Sequence, residues 1–86
     1  HNMEPVFVSE NVVDTGNVRL LKDLHLKMSL KQGNSTPIDA IAFGFGQHFE
    51  KIKSGKPFHV CYSISENDFN GKKSLQLFIK DIKFDD

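Results

Sequence analysis

Apolar and polar residues alternate along most of this chain, the period of a half-buried β-strand rather than of a helix. The clearest run sets Leu24, Leu26, Met28 and Leu30 against His25, Lys27, Ser29 and Lys31. A second sets Phe58, Val60, Tyr62 and Ile64 against His59, Cys61, Ser63 and Ser65. A third places Leu75, Leu77 and Ile79 on one side, with Ser74, Gln76, Phe78 and Lys80 on the other. Residues 38–45 are apolar on both sides and read as a central, covered strand with Phe43 in the core. Residues 6–13 read as an opening strand.

The interruptions agree with this division. Residues 33–37 (Gly-Asn-Ser-Thr-Pro) form a turn cluster, and residues 15–17 (Thr-Gly-Asn) a turn or bulge. Asn70-Gly71 between two alternating runs predicts a tight hairpin with arms ending near Asn67 and Lys73. Residues 47–54 break the strand period: Phe49 and Ile52 lie three apart, Gly55 suits a position just past a helix end, and Pro57 bars continuation. The order is three strands, a short helix, two strands. That is the layout of an all-β, five-stranded Greek-key OB-fold barrel with one short helix between the third and fourth strands. A small sandwich or an SH3-like barrel is the competing arrangement.

At 86 residues, the chain holds one domain. A single cysteine, Cys61, excludes an intrachain disulfide framework. No apolar run approaches the ~18 residues of a membrane span, and the expected setting is cytoplasmic. Eleven Lys/Arg balance eleven Asp/Glu, so any contact with nucleic acid has to be made by a local patch.

Candidate catalytic groups are few. Gly44-Phe45-Gly46 lacks the later glycine of a dinucleotide fingerprint and reads as a bend in a barrel strand. His59 and Cys61 have no second pair of zinc ligands and read as a polar histidine beside a small thiol. Asp81, Asp85 and Asp86 read as a solvated tail. Ser63, Ser65 and His59 lack an orienting third group. No catalytic residue, metal site or cofactor is expected in this chain.

A binding face is better supported. From Val18 to Lys31 four cations (Arg19, Lys22, Lys27, Lys31) face one acid, Asp23. Cations that track phosphates beside rings that stack on bases make a single-strand binding surface. Phe45, Tyr62, Phe69 and Phe78 are the available rings, and Phe69, beside the Asn70-Gly71 turn and followed by Lys72 and Lys73, is the strongest candidate. Phe69 reads equally as hairpin packing, Asn67 as a turn cap, and the two lysines as charges that blunt a strand edge.

Three runs carry a family resemblance: His-Leu-Lys-Met-Ser-Leu at 25–30, Ile-Asp-Ala-Ile-Ala-Phe-Gly at 38–44, and Glu-Asn-Asp-Phe-Asn-Gly-Lys-Lys-Ser-Leu-Gln-Leu at 66–77. In this order they resemble the C-terminal OB domain of RecJ, the bacterial single-strand-specific DNA exonuclease. Residues 2–7 resemble the segment leading into that domain. The resemblance implies that residues 1–86 are an excerpt of a larger 5′-to-3′ exonuclease of DNA repair and recombination. Its manganese or magnesium site lies in a catalytic core whose Asp-His-His motif this chain lacks. The implied role is to hold single-stranded DNA for that core. Arg19, His25, Lys27, Lys72 and Lys73 would contact phosphates, Phe69 would stack, and Asn67 and Gln76 would bond bases or sugar. A protein-docking module and an RNA-binding OB module are the alternatives.

Overall fold

A computed structural model describes residues 5–85, apart from the Phe69 side chain. Residues 2–4 of the lead-in segment, the Asp86 of the acidic tail and the expected Phe69 ring contact lie outside the described residues. The elements are β1 (Phe7–Asp14), β2 (Arg19–Leu21), β3 (His25–Lys31), β4 (Ile38–Ala42), a 3-10 turn (Gly46–His48), α1 (Phe49–Lys53), β5 (Phe58–Phe69) and β6 (Lys72–Lys83). Five strands close a ring in the order β1, β5, β6, β4, β3 and back to β1, with β2 added along β3. All pairings are antiparallel except β4 with β6. This is the expected OB barrel with its helix between the third and fourth ring strands.

Closure depends on the bending of β1. Its first half pairs with β5 (Phe7 opposite Tyr62), and its end pairs with β3 (Val13 opposite Lys31). Between them the register shifts and Asn11 takes φ of 55°, a left-handed conformation that asparagine tolerates well. After Asp14 the chain bulges through residues 15–18 and then resumes along β3 as β2, with Arg19 opposite Lys27. The Asp14 carboxylate fixes this bulge. It accepts the backbone N–H of Gly16 at 2.7 Å, of Val18 at 2.9 Å and of Ser29 at 3.0 Å.

The alternation sorts residues onto the faces. Leu26, Met28, Leu30, Ala40, Ala42, Phe58, Val60, Leu77, Ile79 and Ile82 are buried inside the ring, joined by Val12 of β1 and Ile52 of α1. Each large side chain among them contributes ~1.5–3 kcal/mol through burial. Helix α1 covers one end of the barrel by lodging Ile52 in the core.

Four expectations need correction. Leu24 is not in a strand: Lys22 and Asp23 both take positive φ (54° and 57°) in a tight turn between β2 and β3, which leaves Leu24 52% exposed. The covered strand expected over 38–45 ends at Ala42, and Phe43 lies outside the core. Ile64 and Leu75 keep the inner register but are exposed, because β1 reaches only to Tyr62 and β4 begins opposite Gln76. The hairpin therefore extends past the barrel wall. Its tip is as expected, with Asn70 and Gly71 at φ of 53° and 74°.

Two predictions follow from this packing. Asp14→Ala leaves three backbone donors without their acceptor and should lower stability by about 2–3 kcal/mol in urea unfolding; a loss below about 0.5 kcal/mol would show that the carboxylate does not hold the bulge. Gly46 donates its N–H to the Leu24 carbonyl at 2.8 Å, and an added Cβ there would sit 2.9 Å from the same oxygen and 3.0 Å from Leu20 Cδ1. Gly46→Ala should cost about 1–3 kcal/mol by overpacking, whereas an unchanged melting temperature would mean that the turn moves aside freely.

Candidate nucleic-acid interface

Residues opposite one another across paired strands share a face. The pairing therefore fixes a row on the outer wall, Arg19 on β2, Lys27 on β3, Ile41 on β4 and Phe78 on β6, which ends where β5 brings the buried Ser63 opposite Phe78. With strands ~4.8 Å apart, the four residues from Arg19 to Phe78 span about 14 Å. Beside it runs Ser29, Asp39, Gln76 and Ser65. Lys27 is exposed and His25 half-buried, both on the outer wall as expected.

Rings border the first row. His25 meets Phe43 edge-on at 5.1 Å between centroids, and Phe43 meets Phe78 at 5.4 Å. The Lys80 ammonium lies 4.9 Å from the Phe78 ring centre. Phe43 is 49% exposed and Phe78 36% exposed, so both present ring surface to solvent. The imidazole is held in place because His25 Nδ1 accepts the N–H of Gly44 at 3.0 Å, which leaves Nε2 to carry the proton of the neutral ring. The sequence reading missed Phe43 because both faces of its segment are apolar. Parity contained the signal: small Ala40 and Ala42 point inward, so Ile41 and Phe43 point outward.

The first half of the expected set thus gathers on one wall: Arg19, His25 and Lys27. Gln76 joins it in the adjacent row, and its Oε1 accepts Asn67 Nδ2 at 3.1 Å across the hairpin. Lys72 shares that side of the hairpin by register, and the Phe69 backbone pairs opposite it. Lys73 does not join them. It lies on the other face, opposite Asp68, with its ammonium 3.7 Å from Glu66. The other expected rings are engaged elsewhere: Phe45 packs against the core, and the Tyr62 hydroxyl bonds Ser9 Oγ at 2.8 Å.

Between the 15–18 bulge and the sheet lies a groove of about 280 Å³ lined by Asn17, Arg19, Lys27, Met28, Ser29 and Asp39. Among the described residues, no ion pair or side-chain hydrogen bond joins Arg19, Lys27 or Asp39 to a partner.

The remaining candidates are occupied or isolated. His59 has both ring nitrogens engaged, Nδ1 accepting the Asn11 N–H at 3.2 Å and Nε2 lying 2.8 Å from Asp85. Ser63 is fully buried, and its hydroxyl has no partner among the described residues. No three His, Cys, Asp or Glu side chains among the described residues are grouped to hold a metal ion. No helix is long and apolar enough to cross a membrane.

Comparison with known proteins is consistent with this geometry. No curated protein matches the chain. Among solved structures, the SSB domain of a protein from Synechococcus sp. superposes with a TM-score of 0.62 at 11% identity, covering 96% of this chain and 98% of that one. At that identity the likeness is one of fold. The RecJ OB domain family matches residues 1–81, nearly the whole length, and the chain therefore belongs to the RecJ OB domain family.

Proposed function

We propose that this domain binds single-stranded DNA across the outer wall of β3, β4 and β6 and holds it for the catalytic core of a RecJ-type 5′-to-3′ exonuclease. Family membership and the OB fold support a nucleic-acid-binding module. The observation that carries the reading is the outer row itself, in which two cations without a partner among the described residues, Arg19 and Lys27, lead onto the exposed ring of Phe78 and the adjoining Phe43. This is the division a single strand requires, with cations for the backbone and flat faces for bases.

In this reading Arg19, Lys27 and Lys72 follow phosphates, Phe43 and Phe78 stack on bases, and His25 orients Phe43 while offering Nε2–H. Asn67 and Gln76 extend the surface along the hairpin toward Phe69. The domain supplies grip; hydrolysis and its manganese or magnesium belong to the parent's core, in the cytoplasm. The inner side of the hairpin differs, with Ile64 and Leu75 exposed beside the Lys73–Glu66 pair. That side suits contact with protein, and we assign it to the parent's own core.

Anisotropy titration of labelled oligo-dT tests the stacking rings. Phe43→Ala and Phe78→Ala should each weaken binding about fivefold or more, since a stacked base is worth ~1–3 kcal/mol; unchanged binding in both would remove the rings from the interface. Three phosphate contacts predict a log–log salt slope of about −2, less steep by about 0.7 in Lys27→Ala. Lys72→Ala should weaken binding while Lys73→Ala leaves it unchanged, and the reverse order would place the strand on the hairpin's inner face.

A further inference from the structure

Asp39 is a carboxylate in the middle of an otherwise cationic and aromatic wall. It lies opposite Ser29 on one side and Gln76 on the other, and it lines the groove that holds Arg19 and Lys27. It is exposed, and no hydrogen bond or ion pair among the described residues engages its side chain. An ionised carboxylate only accepts hydrogen bonds, and a phosphate oxygen facing it would be repelled. The group a bound strand can favourably place against Asp39 is an N–H or O–H donor.

We propose that Asp39 and Gln76 together select guanine at this position of the bound strand. The inference rests on the reading of the outer wall as a single-strand site. Gln76 Oε1 is already used by Asn67, so its amide NH2 is the group left to donate. Asp39 and Gln76 are register partners, so a donor and a two-oxygen acceptor stand side by side. The Watson–Crick edge of guanine carries the complement, a carbonyl O6 followed by the adjacent donors N1–H and N2–H2. Thymine sets a carbonyl on each side of its N3–H and would turn one of them toward the carboxylate. Cytosine and adenine offer one amino group beside a ring nitrogen that is itself an acceptor. Arg19 and Lys27, in the neighbouring row, hold the flanking phosphates.

The test compares oligo-dT with an oligomer in which every third thymine is guanine, a spacing chosen to separate the guanines, and with the same oligomer carrying hypoxanthine, which lacks the N2 amino group. The guanine oligomer should bind about fivefold more tightly than oligo-dT, as expected for a partly exposed bidentate contact. Hypoxanthine, which keeps O6 and N1–H but lacks the N2 donor, should bind with an affinity between those of the guanine oligomer and oligo-dT. Asp39→Asn should abolish the preference while preserving or raising affinity for oligo-dT, because a repelling charge is removed. Equal binding of the guanine oligomer and oligo-dT, or a guanine preference that survives Asp39→Asn, would overturn the assignment while leaving the single-strand site intact. Failure to bind any oligomer would overturn the site and the assignment with it.

Discussion

The cationic edge of the outer wall rests on one carboxylate that holds three backbone N–H groups. Asp14 ties Gly16, Val18 and Ser29 together, and in doing so converts what would be one long first strand into two short ones separated by a bulge. The bend at Asn11 has already carried the chain from β5 onto β3, and the bulge lets it resume pairing along β3. With the bulge pinned, β2 stays in register with β3 and Arg19 lies opposite Lys27. The same bulge forms one side of the groove that contains Asp39. Barrel closure turns on the bend at Asn11, and the chemistry of the face on the bulge that Asp14 holds a few residues later.

Net neutrality is compatible with a nucleic-acid role because the charges are sorted by face rather than balanced locally. Lys27, Lys72 and Lys80 stand on the outer wall with Arg19, while Glu66 and Lys73 pair on the inner side of the hairpin. Grip through a few phosphate contacts is modest and salt-sensitive. A wholly basic domain would bind more tightly but would also hold double-stranded nucleic acid without discrimination.

Most of the fold was legible because its signals are local. Alternation placed β3, β5 and β6, Asn70-Gly71 placed the hairpin, and Phe49, Ile52, Gly55 and Pro57 placed the helix. Hidden features depended on contacts remote in sequence. Lys22-Asp23 is not a usual dipeptide for a turn with two positive φ angles, so β2 and the exposure of Leu24 had no sequence mark. Phe43 read as core because only the barrel's closure shows that Ala40 and Ala42 fill the interior at that level. Of the expected contact residues, Lys27 on β3 was readable from parity, whereas Arg19 is placed by the pairing of β2 with β3. Lys72 and Lys73 were not separable until the register placed them on opposite sides of the hairpin, and the Phe69 side chain lies outside the described residues.

The most direct test of the central claim is a map of backbone amide chemical shifts during titration with a short oligo-dT. The account predicts changes concentrated at Arg19, Lys27, Ile41, Phe43 and Phe78, continuing along the hairpin through Gln76, with α1 and the His59–Asp85 side of the barrel unmoved. Changes centred on α1 or around His59 and Asp81, with the outer wall of β3 and β4 silent, would contradict it.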